Sequence, residues 1–181
     1  EPWSYAIWPK SVVGWCSWFA FFDKVTEDDM KRTADVVADV LAPFGYEYIL
    51  PTHQGRAAEH ILSQTRIKPG QLVPGNMYFT TTKLHQELAG GVFADVIVDE
   101  AHDPTSEFPW KGNIDLLKLD DLVQKHQPEG IAYISFEHSV NMAGGQPVSM
   151  DNMKEVYEYC SALGIPVFFD STRTVENAYM I

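Results

Sequence analysis

Two cysteines in 181 residues, Cys16 and Cys160, are too few and too far apart to form a disulfide framework or a metal-ligand pattern. Buried free thiols in a reducing compartment suit them, so a cytoplasmic location is expected. Basic residues are scarce as well: 13 Lys and Arg against 25 Asp and Glu leave a net charge of −12. That balance argues against a nucleic-acid partner and against an anionic membrane surface. No apolar run reaches the ~18 residues that a membrane span needs, and the N-terminus lacks the basic start and apolar core of a signal peptide. The phosphate-binding G-x-x-x-x-G-K-[ST] is missing too. Val98-Asp99-Glu100-Ala101-His102 mimics the acidic box of nucleic-acid-dependent ATPases, but without that loop it carries no nucleotide reading. H-E-x-x-H is also missing, and His85, His102, His126 and His138 share no ligand spacing, so no metal is expected. No internal repeat or low-complexity tract is visible.

What is present is an alternation of short apolar runs with helical periodicity. Ser11–Trp18 and Tyr46–Leu50 read as strands, and Thr26-Glu27-Asp28-Asp29 opens a helix with Thr26 as cap. Met30, Ala34, Val37 and Leu41 carry that helix to Pro43 and Gly45. Further strands are expected at Gln71–Val73, Val92–Val98, Ile131–Phe136 and Pro166–Phe169. Helices are expected near Gly55–Gln64, Thr81–Leu88, Ile114–Lys125 and Ser149–Leu163, and Ala101–Gly112 reads as loop, with Lys111 solvated in it. Strands 20 to 40 residues apart with helices between them indicate a three-layer α/β fold with a mostly parallel sheet.

The polar candidates fall at the carboxyl ends of those strands, the usual ligand edge of such sheets. His53-Gln54-Gly55-Arg56 sits where a strand gives way to a helix. Backbone amides there attract anions, and arginine adds a forked charge; a capped helix with a solvated arginine would use the same residues. Phe79, followed by Thr80, Thr81 and Thr82, would suit a flat ring with a polar rim, or simply core. Asn141 and Gly144-Gly145 follow the next strand, and Asp170 with Arg173 follows the last. A carboxylate such as Asp170 against a ring nitrogen keeps that nitrogen protonated, which suits a pyridinium cofactor. Asn141 and Arg173 could hold its phenolate oxygen, and Phe79 could stack on its face.

Several stretches match one family in order: Pro51-Thr52-His53-Gln54-Gly55-Arg56, Lys68-Pro69-Gly70, Gly75-Asn76-Met77-Tyr78-Phe79-Thr80-Thr81-Thr82, Asp99-Glu100-Ala101-His102-Asp103, Lys111-Gly112-Asn113-Ile114-Asp115, Asn141-x-Ala143-Gly144-Gly145-Gln146-Pro147-Val148-Ser149 and Glu176-Asn177-Ala178-Tyr179. From about Tyr46 onward the chain resembles the β-eliminating lyases, the tyrosine phenol-lyase and tryptophanase family. Met77 and the triple threonine lean toward the phenol-releasing branch. The resemblance implies a partial large domain of the aspartate-aminotransferase type and pyridoxal 5′-phosphate as cofactor. It implies that Gln54, Gly55 and Arg56 hold the cofactor phosphate and that Phe79 stacks on the ring. Asn141 and Arg173 would bind the ring oxygen, Asp170 would pair with the ring nitrogen, and Thr80 would face the phenol hydroxyl of an aromatic amino acid. The family builds its sites across subunit interfaces, so a homo-oligomer is expected. The resemblance also places the Schiff-base lysine beyond Ile181 and the family's small domain outside these residues. On that ground the chain by itself is expected to be inactive.

Residues 1 to about 45 resemble something else. Val13-Gly14-Trp15-Cys16-Ser17-Trp18 with Val25-Thr26-Glu27-Asp28-Asp29 is similar to the first strand and helix of α-galactosidase-type glycoside hydrolase barrels. Together the two resemblances imply a chimera, with a barrel-derived β-α unit at 1–45 and a partial cofactor-binding domain at 46–181. Two other readings stand beside the lyase. One is a non-catalytic α/β protein built from enzyme fragments; the other is a carbohydrate binder using Trp15 and Trp18.

Overall fold

The structure is a computed structural model that describes residues 26–41, 52 and 54–181. The predicted strands at Ser11–Trp18 and Tyr46–Leu50, and the tryptophans at 15 and 18, lie outside the described residues, as does Cys16. The chain divides into two compact units, residues 1–58 and 59–181.

In the first unit, helix α1 spans Glu27–Leu41. Its start is a reciprocal capping box: the Asp29 amide donates to Thr26 Oγ1 at 3.2 Å, and the Thr26 amide to Asp29 Oδ2 at 3.0 Å. Helix α2, Gly55–Arg66, begins in the first unit and runs into the second.

The second unit carries four strands, β1 Leu72–Gly75, β2 Val92–Asp95, β3 Ile134–Glu137 and β4 Val167–Asp170, in the order β2-β1-β3-β4 and all parallel. Between and after them come α3 Thr80–Leu88, α4 Leu116–His126, α5 Met150–Ala162 and α6 Thr174–Met180. Right-handed β-α-β crossovers are the connection that parallel neighbours require. Residues of β3 and Tyr133 just before it alternate between two cores. Ile134 and Phe136 pack with Leu119, Val123, Val156 and Cys160 of α4 and α5, whereas Tyr133 packs with Ile67 and Val73 beside Leu62 of α2. The period of two places helices on both faces, which is the three-layer α/β fold expected. Burial pushes the Cys160 thiol up to about 12, so it is inert as a nucleophile. Among the described residues no helix is long and apolar enough to cross a membrane.

Several boundaries differ from the sequence reading, three of them with a consequence; the last strand, expected at 166–169, runs Val167–Asp170. The second strand stops at Asp95 rather than Val98, because Asp95 Oδ1 accepts from the Ile97 amide at 3.0 Å and bends the chain. Val96 and Ile97 stay fully buried, and Ile97 bridges Ile114 in the antiparallel sense. The first strand continues through Pro74 to Gly75; proline has no N–H to give, and β1 meets β3 through the single register pair Gly75 and Ser135. The third strand runs from Ile134 to Glu137, one residue beyond the expected end, and that residue matters below. Lys111 is a further correction: it is 7% exposed rather than solvated, because its Nζ donates to the Asp103 carbonyl at 2.9 Å.

Candidate functional site

At the carboxyl ends of β1, β3 and β4 the chain leaves a cleft lined by Phe79, Lys83, Gln86, Ser135, Glu137 and Asp170, with Met77, Tyr78, Thr82 and Phe93. The backbone bends sharply at this edge. Met77 and Ser139, just beyond β1 and β3, hold φ of 68° and 54°, a left-handed region costly for residues with a Cβ. Asn76 makes the bends affordable. Its buried amide donates to the Gly112 and Glu137 carbonyls, both at 2.9 Å, and accepts from the Glu137 amide at 2.8 Å.

The β3–β4 register pairs Glu137 with Asp170, so the two carboxylates leave neighbouring strands on the same face. Asp170 Oδ1 accepts from the Thr172 amide at 3.0 Å and from its hydroxyl at 2.6 Å, a turn that fixes the carboxylate's orientation. Glu137 is 7% exposed. Its Oε1 accepts from Arg173 Nη1 at 2.8 Å and from the Asn141 amide at 3.3 Å, while its Oε2 is buried without a partner among the described residues. Arg173 Nη1 also donates to the Ser139 carbonyl at 3.2 Å. Burial raises the Glu137 carboxyl above its ordinary range and the negative charge of Asp170 adds to this; Arg173 and the Asn141 amide oppose it. Next to it, burial lowers the imidazole of His138, whose Nδ1 lies 2.8 Å from Thr174 Oγ1.

Of the residues expected from sequence, Phe79 and Asp170 line the cleft. Phe79 is the N-cap of α3. Thr80 follows it and is exposed, while Thr81 and Thr82 give their hydroxyls to Glu59 Oε1 at 3.1 and 2.8 Å. Two of the three threonine hydroxyls are thus spent holding α3 to α2, and Thr80 is left at the surface. Asn141 is exposed and tied to Glu137 through its backbone. Arg173 reaches the cleft edge only through Glu137. Gln54, Gly55 and Arg56 are exposed at the start of α2 in the first unit; a Cβ on Gly55 would meet nothing within 4 Å, so the chain there is open to a ligand's close approach. Sequence reasoning missed Glu137. The signal was the one used for Asp170, a carboxylate directly after an apolar strand, but the strand had been ended at Phe136.

The parallel sheet between two helix layers is a three-layer α/β fold of the kind found in the large domain of aspartate-aminotransferase-type proteins. Solved structures agree on the fold. The SepCysS–SepCysE N-terminal domain complex aligns with 80% of this chain and 36% of that chain, at TM-score 0.60 and 21% identity. An archaeal alanine:glyoxylate aminotransferase aligns with 76% and 33%, at 0.55 and 20%.

The Beta-eliminating lyase family matches residues 22–181, and the chain belongs to it. Tyrosine phenol-lyase of Fusobacterium nucleatum is 62% identical over 138 residues, 76% of this chain and 30% of the relative. That of Nostoc punctiforme is 56% identical over 151 residues, 83% and 32%. The chain therefore spans about a third of the length of these relatives. The family match begins at residue 22 and takes in α1, well ahead of Tyr46. Nothing in these matches supports a glycoside hydrolase origin for the first 45 residues. The family's cofactor is pyridoxal 5′-phosphate. The residues fit it: an orphaned buried carboxylate oxygen, a second carboxylate and an aromatic ring share one cleft, as a flat cation bearing a ring oxygen requires.

Proposed function

We propose that the protein is a pyridoxal-phosphate-dependent carbon–carbon lyase that splits an aromatic amino acid such as tyrosine into phenol, pyruvate and ammonia. The observation that carries this reading is the strand-end edge where Asp170, Glu137 and Phe79 line one cleft with Arg173 tied into it. The likeness to tyrosine phenol-lyases supports the choice of substrate. When bound, the cofactor supplies a pyridinium that takes up the electron pair left as the amino acid's Cα loses its proton. Asp170 would hold the proton on the ring nitrogen, Phe79 would stack on the ring, and Asn141 and Arg173 would bind the ring oxygen. By the family resemblance, Gln54, Gly55 and Arg56 would hold the phosphate, and Thr80 would orient the substrate's phenol hydroxyl. Assembly into a homo-oligomer belongs to the same proposal.

Lysines are the test of how much of the reaction these 181 residues perform. Lys83 lines the cleft, but its Nζ lies 5.0 Å over the Tyr78 ring and 3.8 Å from Glu87. Lys111 and Lys118 spend theirs on the Asp103 carbonyl and on Asp99. We expect the 181-residue chain to bind pyridoxal phosphate reversibly, with a saturable absorption change, and to release no pyruvate from tyrosine. A positioned base is worth ~10²–10⁴-fold. Absence of any saturable change would overturn the cofactor reading. Borohydride reduction that traps one lysine stoichiometrically, together with turnover, would show that the segment is a working lyase by itself.

A further inference from the structure

Glu137 has no part in the site as read from sequence, yet it is the most constrained group at the edge. It is buried, it is register partner to Asp170, and its two oxygens are unequal: Oε1 holds Arg173 at 2.8 Å, and Oε2 is unspent in a residue that lines the cleft. Three hydrogen bonds fix its backbone and Oε1 in place: its carbonyl accepts from the Asn76 side chain, its amide donates to Asn76 Oδ1, and Oε1 accepts from the Asn141 amide. A carboxylate kept dry at this density of contacts is retained against a desolvation penalty, and leaving one oxygen unpaired adds to that penalty.

We infer that Glu137 is the positioning residue of the cofactor edge: it fixes the Arg173 guanidinium and sets, together with Asp170, how much positive charge that edge presents to the pyridine ring. The inference rests on the cofactor reading above. Beside Glu137, the charged or titratable groups at this edge are Arg173 and Asp170, which follow and end β4, and His138, which follows Glu137 and faces the Asp170 charge. Lys83 of α3 and Tyr78 just ahead of it line the cleft, and Asp95 at the end of β2 accepts from the Met77 amide at 3.3 Å. Glu137 is the buried carboxylate that touches the guanidinium among these groups. Neutralising it leaves the Arg173 charge uncompensated. Excess positive charge favours the ring's phenolate and disfavours its protonated nitrogen, so both proton equilibria of a bound ring move to lower pH.

The test uses 4-deoxypyridoxine 5′-phosphate, which carries the ring and the phosphate but no aldehyde, so its binding needs no lysine. Its absorption, followed against pH in the saturated complex, reports ring protonation directly. Glu137→Gln keeps the side chain's size and is expected to move the titration down by about one pH unit, the lower end of what a neighbouring charge produces. Glu137→Asp restores the charge and is expected to bring the titration back toward that of the unaltered protein. Arg173→Gln removes the other half of the pair and is expected to move it upward. An analogue that does not bind the unaltered protein sinks the cofactor reading and this inference with it. Binding with identical titrations in the unaltered protein and Glu137→Gln overturns the role of Glu137 alone. Should Glu137→Gln fail to fold, Arg173→Gln decides, since an unmoved titration there removes the charge that Glu137 is said to balance.

Discussion

Single side chains hold the edge together, and Asn76 is the first of them. It joins the end of β1 to the end of β3 and to the loop at Gly112 through three hydrogen bonds, all buried. Asn76→Ala strands two carbonyls and one amide, each of which costs about 1–3 kcal/mol when left unpaired. We expect a loss of about 3 kcal/mol or more in urea unfolding, and an unchanged midpoint would show that the loop simply turns these groups to water. His138 has a pH signature. Burial holds its imidazole below the ordinary 6.5, with Asp170 opposing. As pH falls below 6.5 the unfolded chain takes up this proton first, so the folded state loses stability until the folded imidazole itself titrates. Glu137 runs the other way: its raised carboxyl contributes fully below its ordinary 4.5, and the contribution is lost as pH rises through the folded value. His138→Gln is therefore expected to flatten the fall in melting temperature between pH 7 and pH 5.5, and an equally steep fall would assign it to other groups. Site legibility follows from the same residues. Phe79 and Asp170 could be placed from sequence because each follows an apolar run. The tie from Arg173 to Glu137 could not, since it depends on which face of β3 residue 137 takes and therefore on a boundary read one residue short.

Elements were legible where their ends carry local chemistry. Thr26 caps α1 as read, and Ser149, taken as the first residue of a helix, caps α5 instead. Its hydroxyl accepts from the Asn152 amide at 3.1 Å, and its own amide donates to Asn113 Oδ1 at 2.9 Å. Asn152 then bonds the Ile114 amide and carbonyl, both at 2.8 Å, so the first turn of α5 is clasped to the chain entering α4. Ser149→Ala is expected to cost about 1 kcal/mol, the usual worth of such a cap. Thermal melts would register this as a drop of a few degrees, and no drop would mean that the Asn152 clasp alone fixes the turn. Strand ends were less legible because their causes are not local. The apolar run through Val96 and Ile97 reads as strand, but Asp95 turns the chain by bonding the Ile97 amide, and the apolar pair is buried as loop. Gly75 shows why β1 must pass close to β3. A Cβ there would stand 2.6 Å from the Ser135 carbonyl, so any side chain would force the two strands apart. That requirement is invisible without the partner strand.

At the scale of the whole molecule, the sheet ends are the described surface that bears on assembly. Among the described residues β2 pairs only with β1, and β4 only with β3, which leaves two strand edges able to take a partner. Beside β2, Leu84 and Leu88 of α3 and Val92 of the strand itself are more than half exposed, at 51%, 63% and 52%. Apolar side chains grouped at a strand edge are the surface that a second copy would cover. The net charge of −12 works against such pairing through self-repulsion. The two effects separate with salt. If apolar contact drives association, raising ionic strength from 0.05 to 0.5 M screens the repulsion and should strengthen it; association through ion pairs would weaken instead. We therefore expect sedimentation at tens of micromolar to show a dimer or larger assembly that tightens with salt. Leu88→Lys should weaken it by about tenfold or more, because burying a leucine is worth ~1.5–3 kcal/mol and 1.4 kcal/mol is tenfold. The far-UV circular dichroism of that variant should not change. A clean monomer at every salt concentration would mean that this edge is covered by the chain itself, and it would remove assembly from the proposed function without touching the cleft.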